Sequence, residues 1–436
     1  MYRKLIKDLV GWKNKQGRKP LVIQGARQVG KTWLMQEFGR LEYREAVYFN
    51  FDRNKALDAI FEPDLNPYRI IEELEAKSGR KVIPGETLIM LDEIQECNRA
   101  LVSLKYFCEE APEYHIIAAG SLLGVALHKG TTYPVGKTDT LTLYPLTFME
   151  FLAALGEEGL LKIFEEKNFR LIQVLKEEII RYLKQYFFIG GMPGVVQNFI
   201  NKRDLGEVRQ EQEIILKDFY RDFSKHIAPS SIPKLALIWD SIPEQLGKEK
   251  KRFIYKDMKP GARSSQYEDA LLWLTACGLV YKINRVSLPH LPLISYSEAE
   301  VFKLYSLDVG LLAAQSALSM QTLTDPNHAI FDHFKGALTE QFVLQELKAS
   351  GEMLPIYFWA NAKNTSSVDF LLQWEDKIIP LEVKASVNLQ SKSLKAYMDS
   401  WKPSIAIRSS LADYNRNGPL HEIPLYLVGM FREITQ

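Results

Sequence analysis

Four residues near the N-terminus have the types and the spacing that bind a phosphate group. The stretch "LVIQGARQVGKTWLM", residues 21–35, contains the order GxxxxGKT, formed by Gly25, Gly30, Lys31 and Thr32. Glycines let backbone amides approach an anion closely, and a helix that starts directly after the loop adds the partial positive charge of its N-terminus. The pattern predicts a phosphate-binding loop made of Gly25, Ala26, Arg27, Gln28, Val29, Gly30, Lys31 and Thr32.

The segments on either side of this loop suit that chemistry. Residues 21–24 are predicted to form a buried strand, and "KTWLMQEF" is predicted to open a helix. In this setting Lys31 would reach the β- and γ-phosphates of a nucleotide, and Thr32 would ligate Mg²⁺. The predicted cofactors are therefore ATP and Mg²⁺.

A second stretch, "TLIMLDEIQ", supplies two acids where a magnesium site needs them. Residues 88–91 form an apolar run typical of a parallel strand buried on both faces, and Asp92 and Glu93 follow at its carboxyl end, where open α/β sheets bind ligands. Asp92 would hold Mg²⁺, and Glu93 would polarise the attacking water. The alternative for two acids after a strand is a helix N-terminal turn that exploits the helix dipole.

The next apolar run, "YHIIAAGSLLG", ends in Gly120 and Ser121. A third strand there would present the Ser121 hydroxyl near the γ-phosphate, so Ser121 is a candidate nucleotide contact. The alternative is that Ser121 caps a helix that begins at "LLGVAL".

These stretches, together with "SLKYFCEEAPEYHIIAAGSLLGVAL", "YPVGK" and "LYPLTFMEFL", resemble a widespread bacterial and archaeal family of AAA-type ATPases, whose C-terminal half is a domain of unknown function. The resemblance covers essentially the whole chain and implies ATP hydrolysis. Members of that family often have Gly-Arg where this sequence has Gly136 and Lys137, so the sequence departs from the family pattern at Lys137, the candidate cationic trigger.

Composition limits the class of protein. The 436 residues predict about two to four domains, and 46% hydrophobic with 25% charged residues is typical of a globular protein rather than a disordered or fibrous one. Cys97, Cys108 and Cys277 are scattered, which excludes a disulfide framework and favours a reducing compartment. The sequence has no apolar run long enough to span a membrane and no HxH or HExxH zinc spacing, and His328 and His333 are interpreted as structural or surface residues. A cytoplasmic location without membrane contact is expected.

The spacing of apolar residues changes in the middle of the chain. Residues 147–204 have apolar positions at helical spacing and predict a helical lid, interrupted at 190–194 by "GGMPG", which is interpreted as a helix stop with a sharp turn. Residues 205–325 are predicted to form a winged-helix-like domain: a helix capped by Ser264 or Ser265, and a wing that begins at "LVYKI". The apolar side of that helix would be formed by Leu271, Leu272, Leu274 and Leu279.

A basic run lies just before this helix. Residues 248–263, "KEKKRFIYKDMKPGAR", contain seven Lys or Arg against two acids. Such a run, with Lys250, Lys251 and Arg252 near its start, fits a DNA backbone, and it equally fits a solvated surface.

The C-terminal segment "SVDFLLQWEDKIIPLEVKAS", residues 367–386, predicts a β-hairpin with charges in unusual places. Asp369 begins one strand, and Glu382 and Lys384, two residues apart, share one face of the other. Two carboxylates that converge from paired strands can hold Mg²⁺ against a scissile phosphate, and the lysine can activate water. The alternative is a cross-strand ion pair at the surface.

The D-x₁₂-E-x-K spacing resembles the PD-(D/E)xK restriction-endonuclease-like core, with Val368 in place of the family's proline. The resemblance extends to Glu340 in "FKGALTEQFVLQELKAS" and implies that Glu340 is a further acid near the metal.

The predicted fold class is therefore α/β: a P-loop AAA-type ATPase core at 1–146, a helical lid at 147–204, a winged-helix-like domain at 205–325 and a nuclease-like α/β domain at 326–436. The predicted catalytic residues are Lys31, Glu93, Asp369, Glu382 and Lys384. The leading hypothesis is an ATP-dependent enzyme that acts on DNA. The alternatives are a nucleotide-switched DNA-binding or regulatory protein with a silent nuclease fold and, third, a metabolic kinase; a homo-oligomer is left open.

Overall fold

The computed structural model describes residues 1–121, 134–226, 229–248, 251–324, 329–350, 354–361, 363, 365–385 and 392–436. They form two compact units, Met1–Tyr144 with Ala276–Gly278, and Pro145–Thr275 with Leu279–Gln436. The predicted boundary after residue 146 lies close to the first division, while those after 204 and 325 fall inside the second unit. The finer division into four domains stays a prediction.

The first unit is built on a parallel sheet with the strand order β2-β3-β4-β1-β5. Its strands are β1 (Leu21–Gly25), β2 (Glu45–Asn50), β3 (Thr87–Asp92), β4 (His115–Ser121) and β5 (Asp139–Thr142). Its helices are α1 (Leu5–Lys13), α2 (Lys31–Glu42), α3 (Asp58–Phe61), α4 (Pro67–Ser78) and α5 (Asn98–Glu110), with 3₁₀ turns at Lys55–Leu57 and Ile94–Glu96.

The strands predicted at 21–24 and 88–91 are confirmed as β1 and β3. Every residue of β3 is buried, because β3 lies between two other strands and contributes Ile89 and Leu91 to the hydrophobic core. Parallel strands bring their carboxyl ends to one edge of the sheet. That edge therefore carries the loop after β1 and the acids after β3.

The chain from residue 145 onward is rich in helices. They are α6 (Phe148–Leu155), α7 (Glu158–Glu165), α8 (Phe169–Val174), α9 (Lys176–Ile189), α10 (Pro193–Lys202), α11 (Leu205–His226), α12 (Ile232–Gly247), α13 (Tyr255–Met258), α14 (Glu268–Ala276), α15 (Val309–Gln315), α16 (Met320–Thr324), α17 (Ala329–Ala349), α18 (Lys392–Trp401) and α19 (Phe431–Thr435). Shorter 3₁₀ turns are Ser264–Gln266, Leu293–Tyr296 and Leu425–Met430. Within the described ranges, no helix has the length and apolarity needed to cross a membrane.

The second unit also contains a mixed eight-stranded sheet with the order β12-β13-β11-β10-β9-β8-β6-β7. Its strands are β6 (Val280–Val286), β7 (Ser297–Ser306), β8 (Ile356–Ala360), β9 (Ser367–Trp374), β10 (Lys377–Val383), β11 (Ala406–Ser410), β12 (Asn415–Asn417) and β13 (Leu420–Pro424). The predicted hairpin is confirmed, because β9 and β10 are antiparallel with Trp374 opposite Lys377. Strand β10 ends at Val383, so Lys384, which was expected on this strand, is the first residue after it.

Details of the winged-helix prediction are wrong. Strands β6 and β7 form an antiparallel pair, but β6 also pairs in parallel with β8, so this pair is one edge of the eight-stranded sheet. Ser264 lies in a 3₁₀ turn, and α14 begins only at Glu268. Leu272, predicted to be buried, is 61% exposed. A local sequence pattern can indicate a helix and a hairpin. It does not indicate that β8, much later in the chain, pairs with β6.

The predicted helix stop at "GGMPG" is confirmed, since α9 ends at Ile189 and α10 begins at Pro193. Gly190 has a positive φ of 78°, and a Cβ atom there would overlap the carboxylate of Asp308. A Cβ atom on Gly191 would overlap the carbonyl oxygen of Leu146. The glycines are needed because two backbone segments approach each other closely at this joint.

Candidate functional site

The loop between β1 and α2 has the geometry of a phosphate cradle. Gly30 is the N-cap of α2 and adopts φ of 95°, a left-handed conformation that favours glycine. A Cβ atom on Gly25 would overlap the carbonyl oxygen of Leu143. Both glycines of the motif are therefore required by the backbone. Of the remaining predicted loop residues, Ala26 and Val29 are buried, and Arg27 and Gln28 are exposed.

Lys31 is buried beneath this loop. Its Nζ donates hydrogen bonds to the carbonyl oxygens of Gly25, at 3.1 Å, and of Ala26, at 2.9 Å. Burial lowers the pKa of Lys31 to about 8, against the opposing attraction of Glu93 and Asp92. The ammonium group is thus held at the centre of the loop by two carbonyl oxygens.

Thr32 and Asp92 are brought together, as the sequence predicted. The Thr32 hydroxyl donates to Asp92 Oδ2 at 2.8 Å, and the backbone amide of Glu93 donates to Asp92 Oδ1 at 3.1 Å. A hydroxyl beside a carboxylate fits Mg²⁺, which binds oxygen ligands and often takes one carboxylate plus phosphate oxygens. In the described part of the chain, no group of three or more His, Cys, Asp or Glu side chains is arranged to hold a metal ion. A Mg²⁺ ion here would need the phosphate oxygens as further ligands.

Two residues at the end of β2 also contact Asp92, and sequence reasoning missed them. Tyr48 Oη donates to Asp92 Oδ2 at 2.7 Å, and Asn50 Nδ2 lies 3.3 Å from the same oxygen. In the register of β2 and β3, Asn50 lies opposite Asp92. This contact can be predicted only when β2 is known to be the neighbour of β3.

Glu93 adopts a left-handed backbone conformation with φ of 52°. This conformation is uncommon for a residue with a Cβ atom. The Glu93 carboxylate accepts a hydrogen bond of 2.5 Å from Gln95 Nε2. A neighbouring amide therefore fixes the direction of the predicted catalytic carboxylate.

Ser121 is the last residue of β4, and its backbone is opposite Gly25 in the register of β4 and β1. Its backbone is therefore beside the phosphate loop. The helix that Ser121 would cap in the alternative interpretation lies outside the described residues. Lys137, the predicted trigger, forms an ion pair of 2.8 Å with Glu109.

Arg3 is a further contact of the loop that no motif revealed. Its side chain is buried, and its guanidinium donates to the carbonyl oxygens of Val29, at 3.2 Å, and of Tyr144, at 2.5 Å. Arg3 therefore holds a backbone carbonyl oxygen of the loop, although it lies outside the motif in the sequence.

The second unit brings the predicted C-terminal residues to one cavity of about 650 Å³. Glu340, Asp369, Glu382 and Lys384 all line it. Lys384 Nζ lies 2.9 Å from Glu382 Oε1. Burial acts to lower the pKa of Lys384, but the attraction of Glu382 outweighs it and raises that pKa.

Asp369 is the most strongly perturbed acid of this cavity. Its Oδ2 accepts a hydrogen bond of 2.9 Å from the amide of Val383, and its Oδ1 lies 3.8 Å from Lys303 Nζ. Burial, with Glu340 and Glu382 nearby, raises the pKa of Asp369 to about 8. Carboxylates this crowded repel one another, and a divalent cation would relieve that repulsion. The donor set of Asp369 and Glu382 therefore fits Mg²⁺.

Glu340 has protein donors on both oxygens. Lys251 forms an ion pair with Oε1, and Lys303 and Tyr305 lie 3.2 Å and 2.9 Å from Oε2. Burial opposes ionisation of Glu340, but the two lysines outweigh it and hold its pKa at about 2. Lys303 and Tyr305, both on β7, were missed because no sequence motif contains them.

The basic run is not a uniform charged surface. Lys248 forms ion pairs with Glu244 and Asp257, at 3.0 Å and 2.8 Å, while Lys251 contacts Glu340 in the cavity. Lys250 lies outside the described residues. Lys251 lines the carboxylate cavity and pairs with Glu340, so for this residue the solvated-surface alternative is wrong, while a DNA contact stays a prediction. His328 also lies outside the described residues, and the interpretation of His333 stays a prediction.

Known proteins match the chain in three segments. Residues 17–152 match the family model of an AAA domain, and residues 180–322 and 335–427 match two models of domains of unknown function, DUF8612 and DUF4143. No curated protein matches the chain.

Solved structures resemble the chain at low sequence identity. A Walker-type ATPase of Pyrococcus abyssi is 14% identical over 72% of this chain and 95% of that chain, with a TM-score of 0.45. The ORC1 protein of Aeropyrum pernix in complex with DNA is 16% identical over 72% and 91%, with a TM-score of 0.28. AMPPCP-bound DnaA of Aquifex aeolicus is 15% identical over 62% and 86%, with a TM-score of 0.25. The family match and the geometry around Lys31, Thr32 and Asp92 agree that residues 17–152 are a P-loop AAA-type ATPase domain.

Proposed function

We propose that the protein hydrolyses ATP and acts on DNA, and that its second unit cleaves phosphodiester bonds with Mg²⁺. The observation that carries the DNA-directed part is the convergence of Asp369, Glu382 and Lys384 on one cavity. The ATP-directed part is supported by the AAA domain match and by the contact of Thr32 with Asp92.

In the ATPase site, each side chain has a role that its position supports. Lys31 would exchange its carbonyl partners for the β- and γ-phosphates, because hydrogen bonds between charged groups are stronger than those to neutral carbonyls. Thr32 and Asp92 would hold Mg²⁺, which neutralises charge on the transferring phosphoryl group. Glu93 would orient the attacking water after leaving Gln95.

In the second unit, Asp369 and Glu382 would hold Mg²⁺ against the scissile phosphate. The metal would supply a Lewis acid and a more acidic bound water. Lys384, next to Glu382, would stabilise negative charge that develops on the phosphate. These roles are proposed for the residues of the predicted D-x₁₂-E-x-K spacing.

DNA is the proposed substrate because of the charge of this cavity. Five cationic side chains line it against three carboxylates. The cations are Lys251, Arg252, Arg285, Lys303 and Lys384. Arg285 is paired with Glu298, so four cations remain against the three carboxylates. This excess of positive charge would attract a polyanion. A cytoplasmic location and a homo-oligomer stay predictions.

The second candidate function is a nucleotide-switched DNA-binding or regulatory protein with a silent nuclease-like fold. The observation that favours it is that ammonium groups already occupy both oxygens of Glu340. A fold alone does not establish activity.

The ATPase part is tested by Lys31→Ala and Glu93→Gln. We expect Lys31→Ala to abolish hydrolysis, because neutral contacts cannot replace the charge that stabilises the phosphoryl group. Glu93→Gln should bind ATP and fail to hydrolyse it, because the amide is nearly isosteric but is not a base. Unimpaired turnover by Lys31→Ala would refute the proposed site.

The nuclease part is tested by single-turnover cleavage of duplex and single-stranded DNA with Mg²⁺ or Mn²⁺, with and without ATP. Asp369→Ala and Glu382→Ala should each lose cleavage and retain ATP hydrolysis, because neither residue belongs to the phosphate loop. Lys384→Ala should cleave more slowly, with a smaller effect on metal affinity than either carboxylate variant. Absence of cleavage by the wild type under all these conditions would favour the regulatory alternative, and cleavage by both carboxylate variants would place the active site elsewhere.

A further inference from the structure

Two lysines from outside the D-x₁₂-E-x-K spacing converge on the carboxylate cavity. Lys251 lies between α12 and α13, and Lys303 lies on β7. Both line the cavity and both form ion pairs with Glu340. Side chains from two distant segments are therefore brought to one carboxylate.

Glu340 is arranged to hold ammonium groups. It is buried, and its Oε1 and Oε2 face Lys251 and Lys303 respectively, with Tyr305 as a second donor to Oε2. A metal ion on either oxygen of Glu340 would lie against an ammonium group, and like charges at such distances repel strongly in a buried site. In Glu382 the ion pair with Lys384 involves one oxygen, Oε1, and in Asp369 Lys303 lies 3.8 Å from Oδ1. The structure favours lysines over a metal as the partners of this carboxylate.

Both ammonium groups have capacity for another acceptor. An ammonium carries three N–H donors, and Glu340 is the acceptor of Lys251 within the described residues. Lys303 contacts Glu340 at 3.2 Å and lies 3.8 Å from Asp369, the residue proposed to hold the metal. A phosphate oxygen beside Asp369 would therefore be within the reach of a buried, oriented cation.

We propose that Lys251 and Lys303, held in place by Glu340, bind a backbone phosphate of a nucleic-acid strand next to Asp369 and Glu382. Glu340 is then a positioning residue for two phosphate-binding cations and not a ligand of the metal. This inference rests on the proposed function, because it assigns the substrate contacts of the same cavity.

The role of Glu340 is tested by Mn²⁺ binding, measured calorimetrically on the full chain without nucleotide. Asp369→Ala should weaken Mn²⁺ binding at least tenfold, whereas Glu340→Gln should change it by less than about threefold. Weakening of Mn²⁺ binding by Glu340→Gln to the level of Asp369→Ala would make Glu340 a metal ligand and overturn the proposal. Thermal unfolding of each variant reports whether it folds.

The role of the lysines is tested by binding of a short fluorescent DNA duplex in EDTA at several salt concentrations. Each phosphate contact contributes about 0.9 to the slope of log affinity against log salt. Because both lysines bind the same phosphate, Lys251→Met and Lys303→Met should each lower that slope, and the double variant should lower it by about this amount. Lys251→Arg should keep the wild-type slope. Lys248→Met is the matched control, because Lys248 belongs to the same segment as Lys251 but pairs with Glu244 and Asp257.

The two measurements separate this inference from the proposed nuclease. If the wild type binds no Mn²⁺ and cleaves nothing, the nuclease fails, while a reduced salt slope confined to Lys251→Met and Lys303→Met still supports the phosphate site. Equal slopes for the wild type and both lysine variants would overturn the phosphate site, even if cleavage is observed.

Discussion

Replacement of Arg3 by methionine should weaken ATP binding although Arg3 lies outside the phosphate-loop motif. Methionine keeps an apolar stem of similar length and removes the guanidinium. That group donates to the carbonyl oxygens of Val29 in the loop and Tyr144 beyond β5. A phosphate loop turns its amides toward the anion, so its carbonyl oxygens need donors from the protein. Arg3 supplies one of these donors.

The magnitude follows from the Val29 contact. A hydrogen bond from a charged group contributes about 1.5–3 kcal/mol, which corresponds to roughly 10- to 150-fold in an equilibrium constant. The same contact also orders the loop without nucleotide, so only part of its free energy reaches ATP affinity. We therefore expect Arg3→Met to raise the dissociation constant of ATP about tenfold. The KM for ATP should rise more than kcat falls, because Arg3 touches no reacting atom.

The assay is ATP binding and steady-state hydrolysis by wild type, Arg3→Met, Arg3→Lys and Arg18→Met. Arg18 is the matched control, because it also donates to two backbone carbonyl oxygens, those of Lys13 and Pro112, and neither belongs to the loop. Arg3→Lys should recover part of the affinity. Equal loss of affinity in Arg18→Met would show a general loss of stability and refute the assigned role of Arg3, as would unchanged affinity in a folded Arg3→Met.

Three further predictions concern other contacts. Tyr48→Phe removes a 2.7 Å hydrogen bond to the predicted magnesium carboxylate, so the Mg²⁺ concentration for half-maximal hydrolysis should rise about three- to tenfold; an unchanged requirement would contradict this role. Gly191→Ala places a methyl group against the carbonyl oxygen of Leu146 and should lower the free energy of unfolding by about 1–3 kcal/mol, whereas Gly159→Ala, with open space around it, should not. Burial lowers the pKa of His115 to about 4. The neutral imidazole therefore stabilises the fold above the ordinary histidine pKa near 6.5, and this contribution is lost as the pH falls toward 4. In urea unfolding, the free energy of unfolding of His115→Gln should decrease less between pH 7 and pH 5 than that of the wild type.

The sequence alone determined the parts of the nucleotide site that are contiguous. The loop at 25–32 is readable because its glycines, its lysine and the following helix occupy fixed offsets in one segment. Asp92 and Glu93 could be predicted because a buried strand has a recognisable apolar pattern, and the residues at its carboxyl end lie at the ligand-binding edge of a parallel sheet. The hairpin around Asp369 and Glu382 could be predicted because two strand-like runs lie on either side of a short polar segment, although the structure makes the turn one residue shorter than predicted, with Lys377 already in the second strand.

Only the tertiary structure decided which distant side chains complete these sites. Arg3 and Tyr48 belong to no motif, and their contacts depend on which segments lie beside the loop and β3. Lys251 shows the limit most clearly. In sequence it is one cation of a basic run that suits a DNA-binding surface, whereas in the structure it lines a cavity and pairs with Glu340. Charge and periodicity are local properties of a chain, but the direction of a long side chain is set by the segments that pack around it, and those are separated from it by many residues.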